Sequence, residues 1–230
     1  EISECLVGSE MCIRDRPMML CSGGGGRSDY EALSYFTEFW PSDNTDPIER
    51  LFIQWGFSQV FPAKTMCAHV TTWNKNSSVK FRTDVAMMCK LGFDIKLADM
   101  SKDDETYCRT AVQNYNRLKP VVLEGDMYRL VSPYGSNHTS TMYVGKDKDK
   151  AVVFAFDIHP RYAEKTLPVR LQGLDADKMY RVKEINLMPG ANSSLSGNGE
   201  VFSGEFLMNV GLNLFTTQQL NSRVVEVVAE

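Results

Sequence analysis

The sequence contains no apolar run approaching the length needed to span a bilayer. It has no basic excess either. Twenty-five Lys and Arg stand against 29 Asp and Glu, for a net charge of −4, which argues against a nucleic-acid partner. It lacks any Cys-x-x-Cys pair. Cys5 and Cys12 fall in an atypical leader, and Cys21, Cys67, Cys89 and Cys108 are widely spaced, so neither a zinc site nor a disulfide framework is suggested. The phosphate-binding loop patterns are missing too. Arg27 follows the last glycine of "GGGG", where the nucleotide-binding loop needs Gly-Lys, and Ser28 stands where the dinucleotide fingerprint needs its final glycine. What remains is ordinary globular composition, 43% hydrophobic and 23% charged, in a chain long enough for one large domain or two small ones. Three glycosylation patterns, at Asn76, Asn137 and Asn192, are too short to carry weight.

Residues 1–16, "EISECLVGSEMCIRDR", show no amphipathic period and no apolar core of signal-peptide length. They read as the in-frame translation of a sequencing-library adapter, with Leu6 to Asp15 from its constant part. They are set aside as a non-native tail, so the true N-terminus is expected to lie elsewhere and the compartment stays open between cytoplasm and periplasm.

The rest divides into two halves with different patterning. Over residues 17–122, short apolar runs alternate with helical patterns. "PMMLC", the piece ending in "EFWPSD", "MCAHVTT" and "LGFDIKLAD" read as strands. "SDYEALSYF", "DPIERLFIQWGFSQV", "SVKFRTDVAMMCK" and "SKDDETYCRTAVQNYNRL" read as helices. The second helix opens with Asp46 as N-cap, Pro47 at the first helical position and Glu49 completing a capping box. Ser101 caps the fourth, with acidic residues in its first turn. Four strand–helix units in succession favour a parallel sheet, either doubly wound or half of a (β/α)8 barrel. Over residues 123–230, "MYRLVSP", "STMYVGK", "AVVFAFDI", "LPVRLQGL", "MYRVKEIN" and "SRVVEVVA" read as strands between turns, predicting an antiparallel β-sandwich. The change falls near Val121 to Gly125. The predicted fold class is thus α/β plus all-β.

Since "GGGG" fits no phosphate loop and sits between an apolar strand and a helix, it predicts backbone that approaches a ligand or a neighbouring element closely. The strand ends offer Cys21 with the glycines, Asp43, His69, and Asp94 with Asp99. Capping accounts for Asp46 completely. For Asp43, the pattern leaves a turn role and a chemical role both open. His69 reads first as a packed, hydrogen-bonded residue, and Trp55 and Trp73 as core or rim. Arg27 is expected to pair with a local carboxylate such as Asp29 or one among the neighbours of Asp43. His138 and His159 read as surface residues, and the Met18–Met19 and Met87–Met88 pairs as core filler.

Taken together, "CSGGGGRSD", "FWPSDNTDPIERLFIQWG", "CAHVTTWN" and "GDMYRLVSP", with "LQGLDADKMYRV" and "LMNVGL" downstream, resemble the C-terminal part of family 36 glycoside hydrolases of the melibiase/raffinase type. The likeness covers nearly all of residues 17–230. It implies the C-terminal half of a (β/α)8 barrel followed by the β-sandwich. It also implies a retaining α-galactosidase that uses no metal or organic cofactor, with an α-galactoside oligosaccharide as its partner, neither nucleic acid nor membrane, and a homo-oligomeric parent. The family's acid/base aspartate falls on Asp43, a sugar-subsite residue on Trp40, and positions beside the galactose 2-hydroxyl on Cys21 and Gly23. Pro41 stands where Thr is common, a departure expected to stiffen the approach to Asp43.

A general acid must keep its proton near neutrality, so Asp43 is expected to be buried beside a second carboxylate. The family's nucleophile lies upstream of the cysteine–glycine motif and is expected to be absent here. "IKLADMS" imitates its motif, but Asp99 lies downstream of Asp43 and is rejected. The intact parent is therefore expected to be active and this chain alone inactive. An α-N-acetylgalactosaminidase, a raffinose-synthase-like galactosyltransferase and a non-catalytic sugar-binding protein remain open as alternatives.

Overall fold

The computed structural model describes residues 17–21, 24–72 and 76–230. Gly23 and Trp73 lie outside the described residues. Four short strands come first: β1 (Met19–Leu20), β2 (Glu38–Phe39), β3 (Cys67–Thr71) and β4 (Lys90–Asp94). β1 pairs with β2 and β3 with β4, both parallel, and a single parallel bridge between Phe39 and Met66 links the pairs. Helices α1 (Pro47–Phe57), α2 (Val79–Ala86) and α3 (Lys102–Glu124) follow β2, β3 and β4 in turn.

The helices start where their caps lie. Asp46 accepts from the N–H groups of Ile48 and Glu49, with Pro47 at the first turn, so two donors without an intrahelical partner are satisfied locally. The capping box expected of Glu49 is not made, because the Asp46 N–H donates to Asn44 Oδ1 at 3.0 Å instead. Ser78 and Ser101 cap α2 and α3 in the same manner. α3 continues past Leu118 through Pro120, which supplies no N–H. Burial of Leu118, Val121 and Val122 holds this last stretch in place.

The helix expected over "SDYEALSYF" is reduced to a 3₁₀ turn at Ala32–Ser34. Asp29 Oδ1 takes the Ala32 N–H at 2.7 Å, a local bond that competes with helix. Tyr30 and Tyr35 are exposed, so no buried face drives a longer one.

The second half is one antiparallel sheet of six strands in the order β5-β6-β7-β10-β8-β9. These are β5 (Asp126–Val131), β6 (His138–Val144), β7 (Lys150–Asp157), β8 (Met179–Ile185), β9 (Val201–Ser203) and β10 (Asn221–Ala229), with a short α4 (Gly204–Asn209). Burial on both faces of β7 explains why "AVVFAF" is apolar throughout. Val152, Phe154 and Phe156 join the core shared with α2 and α3, while Ala151, Val153 and Ala155 face a second core with Leu171, Leu207 and Leu212.

Among the described residues, the second sheet expected of a sandwich is not formed. "LPVRLQGL" contributes only the bridge Val169–Leu212, and the layer over that face is made of connecting segments and α4. Three smaller expectations also change. Met19 is exposed rather than core, whereas Met87 and Met88 are buried. Among the described residues Arg27 makes no ion pair. His138 is buried and stacks on Phe215, because its Nδ1 lies 2.7 Å from the buried Asp157 carboxylate. Thr216 and Asn221 donate to that same carboxylate.

Asp84 of α2 joins the two halves. It has no exposed surface and accepts from Lys80 Nζ (2.5 Å), Ser222 Oγ (2.7 Å), Tyr107 Oη (2.8 Å) and Asn186 Nδ2 (3.0 Å). Asp84→Ala is expected to cost about 3–5 kcal/mol, because Lys80 and three buried donors lose their acceptor. Urea unfolding measures this, and a loss below about 1 kcal/mol would contradict the assignment.

Burial pushes the Cys67 and Cys89 thiols up from 9.0 to about 12. In the unfolded chain they ionise near their ordinary value, so their contribution to stability is complete below pH 9 and is lost as pH climbs toward 12. The unfolding midpoint should therefore decline above pH 9, with a shallower slope in Cys89→Ala. A flat profile to pH 11 would refute it.

Candidate active site

The candidate site is assembled at the C-terminal ends of the parallel strands. Cys21 follows β1 and is exposed. Trp40 follows β2, and its N–H donates to the Leu20 carbonyl at 3.0 Å, which sets the two strand ends side by side. From Trp40 the chain runs through Pro41 and Ser42 to Asp43, then through Asn44 and Thr45 into the cap of α1. Trp40 Nε1 donates to Asp43 Oδ1 at 3.0 Å, so the two residues singled out from "FWPSD" are in direct contact.

The glycine run lies against this loop. Residues Gly24–Arg27 form a 3₁₀ turn, with Gly24 at φ +67°, a conformation that costs an L side chain 1–2 kcal/mol or so. A Cβ on Gly24 would stand 3.2 Å from Ser42 Cα, and one on Gly25 would stand 2.9 Å from the Pro41 carbonyl oxygen. Gly24 and Gly25 thus approach a neighbouring element, the segment that carries Asp43, whereas Gly26 has nothing within 4 Å of a would-be Cβ. Gly23, expected at the sugar, lies outside the described residues.

Behind the loop, β3 supplies the support. The His69 ring packs on the Trp40 indole with centroids 4.7 Å apart. Burial, followed by the nearby Arg50 charge, holds the imidazole below its ordinary pKa, so it is a neutral partner to the indole near pH 7. Thr71 at the end of β3 donates to Thr45 at 2.9 Å. The space between β3 and α1 holds a cavity of about 10 Å³, too small for a sugar. It is packed support.

Arg50 is the residue that sequence reasoning missed. It is 3% exposed. Its Nη2 donates to the Ser42 carbonyl (2.7 Å), Nε to that of Asn44 (2.8 Å) and Nη1 to that of Cys67 (3.4 Å), and its Cζ lies 4.5 Å from the Trp40 ring centroid. Its guanidinium lies below its ordinary pKa through burial, an effect opposed by the Cys89, Asp43 and Cys67 groups. A signal was present in the sequence. Arg50 falls on the helical stripe that buries Pro47, Leu51 and Gln54.

Other candidates fall elsewhere. Asp46 is committed to the cap of α1. Asp94 ends β4, and Asp99 sits in an exposed 3₁₀ turn beyond it. Asp43 itself is exposed, so the described residues do not form the burial expected of a general acid. Among the described residues, no cluster of three or more His, Cys, Asp or Glu is placed to hold a metal ion, and no helix is long and apolar enough to cross a membrane.

Two family models match the chain consecutively: Melibiase over residues 15–125 and Glycosyl hydrolase family 36 C-terminal domain over residues 138–227. The chain belongs to glycoside hydrolase family 36. It is 36% identical over 211 residues to Alpha-galactosidase 2 of Hypocrea jecorina, covering 89% of this chain and 26% of that protein. To Alpha-galactosidase 1 of Pediococcus pentosaceus it is 32% identical over 196 residues, covering 83% and 25%. Among solved structures, it superposes with a TM-score of 0.81 and 29% identity on a variant family 36 α-galactosidase of Geobacillus stearothermophilus in complex with raffinose, covering 92% of this chain and 28% of that one. It superposes at 0.86 and 27% identity on the galactosidase domain of an α-galactosidase–sucrose kinase, covering 100% and 31%. The family 36 chain therefore spans about a quarter of the length of the curated relatives it matches.

The packing of glycines on the Asp43 loop has a direct consequence. Gly25→Ala is expected to displace Pro41 and cost about 1–3 kcal/mol. Thermal unfolding and the near-ultraviolet dichroism of Trp40 measure the effect. An unchanged spectrum and melting temperature would show that the contact is not made.

Proposed function

We propose that the protein carrying this segment is a retaining α-galactosidase acting on melibiose- and raffinose-type sugars, and that Asp43 is its acid/base. The observation that carries the reading is the 3.0 Å bond from the Trp40 indole to one oxygen of the Asp43 carboxyl, at adjoining strand ends, in a chain of family 36. With Oδ1 held by the indole and no bond to Oδ2 among the described residues, Oδ2 is proposed to carry the proton toward the glycosidic oxygen. Trp40 beside it is proposed to border the sugar subsite, as the family resemblance implies. Cys21, which follows β1, and Gly23, two residues further along the sequence, are proposed to lie beside the galactose 2-hydroxyl, as the family resemblance implies.

Retaining hydrolysis needs two carboxyls about 5–5.5 Å apart. The likeness to family 36 implies a nucleophile upstream of the cysteine–glycine motif, and it is proposed to lie there in the full-length protein. Asp46 is occupied as a cap and Asp99 follows the last parallel strand, so neither is proposed for that role. While that nucleophile is ionised, its charge favours a proton on Asp43. Once the glycosyl–enzyme bond forms, the charge is gone and Asp43 can take the proton of the incoming water.

The four parallel strands are read as the second half of a (β/α)8 barrel. The outer edge of β4 has no partner among the described residues. Beside it, a cleft of about 590 Å³ is lined by Phe93, Ile95, Leu97, Met100 and Val112. The first half of the barrel is proposed to cover that edge, and the chain alone is proposed to be inactive.

Asp43→Asn in the full-length protein should lower turnover of melibiose by about 10²–10⁴ while the thermal melting temperature is preserved. Proton NMR of the first-formed sugar should show the α-anomer. Undiminished turnover by Asp43→Asn would reject the acid/base assignment, and release of the β-anomer would reject retention.

A further inference from the structure

We propose that Arg50 is a positioning residue for the acid/base, one that aims the Asp43 carboxyl by gripping the peptide carbonyls on either side of it. The proposal rests on the reading of Asp43 given above. Ser42 and Asn44 are the immediate neighbours of Asp43, and one guanidinium bonds both their carbonyls, at 2.7 and 2.8 Å. A planar fork bound at two points, one before and one after a residue, fixes the rotation of the intervening peptides. It therefore also fixes the direction in which that residue's Cβ points. The third bond, to the Cys67 carbonyl, refers the loop to β3. The Trp40 face 4.5 Å from Cζ completes the seat, and the same indole orients Asp43 through its N–H.

The charge is handled in a way that suits an acid. Among the described residues Arg50 forms no ion pair with a carboxylate. Three carbonyl dipoles and an aromatic face compensate its charge instead. A guanidinium bonded directly to Asp43 would favour the ionised carboxylate more strongly, whereas here the cation bonds the backbone, and among the described residues Oδ2 accepts no hydrogen bond. Nor is Arg50 needed to start α1. Asp46 supplies the cap, Asn44 Oδ1 takes the Asp46 N–H, and Thr71 holds Thr45. A buried arginine is costly at a position where an apolar residue would pack, so its presence calls for a gain other than helix stability. Misplacing a reacting group by about 1 Å can cost 10²-fold in rate, and that is the scale at which this fork acts.

The test uses the full-length protein with 15N-labelled tryptophan and an aryl α-galactoside, comparing R50K, R50Q and D43N, with Trp40→Phe to assign the indole resonance. R50K keeps the charge but loses the fork. It is expected to lower kcat by about 10- to 100-fold with KM within about three-fold, since the aligned carboxyl is used in the transition state. Its Trp40 indole N–H resonance should move toward its position in D43N, with the melting temperature close to that of the wild type. R50Q should lose more, and if it does not fold then R50K decides. R50K turnover within three-fold of the wild type, beside an inactive D43N, would overturn the Arg50 role alone. Reduced turnover with an unmoved Trp40 resonance would also overturn it, by making the loss structural. Full turnover by D43N would overturn the acid/base reading and the Arg50 role with it.

Discussion

A carboxylate removed entirely from water must be matched by donors from every side, and Asp84 is the point on which this molecule turns. Its donors come from its own helix, from α3, from the end of β8 and from β10. Such a group gives little net stability when complete and is severely costly when broken. What it supplies is a fixed relation between α2 and the large sheet. α2 packs on β3 through the shared core that includes Phe81, Val85 and Val70. β3 in turn offers the Cys67 carbonyl to Arg50 and the His69 ring to Trp40. The contacts that β3 makes at the candidate site are therefore referred, through one strand and one helix, to a buried charge on the far side of the core.

The site is built mainly from main chain. Ser42, Asn44 and Cys67 take part through their carbonyls, Gly24 and Gly25 through having no side chain, and Pro41 through the oxygen they approach. The side chains that do project, Trp40 and Asp43, are tied to each other before any ligand is considered. Such an arrangement is aligned before substrate arrives, which is the condition for a carboxyl to act without reorganising.

Local chemistry made part of this legible in the sequence. The caps at Asp46, Ser78 and Ser101 lie where short-range rules put them, because a cap is decided within four residues. The runs read as strands β1 to β4 and five of the six read in the second half form strands, since apolar period survives in single sequences. Trp40 and Asp43 are singled out only through the family resemblance, since local pattern leaves Asp43 open between a turn role and a chemical one. What escaped depended on distant partners. His138 reads as a surface residue until Asp157 and Phe215 are placed beside it. "LPVRLQGL" has strand composition but finds one bridging partner, Leu212, instead of a ladder. The segment from Ser28 to Phe36 has helical spacing but no core to face. Arg50 was overlooked because a basic residue in an amphipathic helix ordinarily belongs to the wet side, although its position on the stripe of Pro47, Leu51 and Gln54 was the signal that its side chain turns inward.

The contact between Gly25 and Pro41 also bears on how such a site can diverge. Where main chain meets main chain at 2.9 Å from a would-be Cβ, no larger residue can be tried there without moving a neighbour. The repertoire open to single substitutions is accordingly narrow on that wall. Reshaping of that wall is therefore more accessible through a change in the length or route of the connection between β1 and β2 than through a point change at Gly25, and divergence there should be written in insertions and deletions.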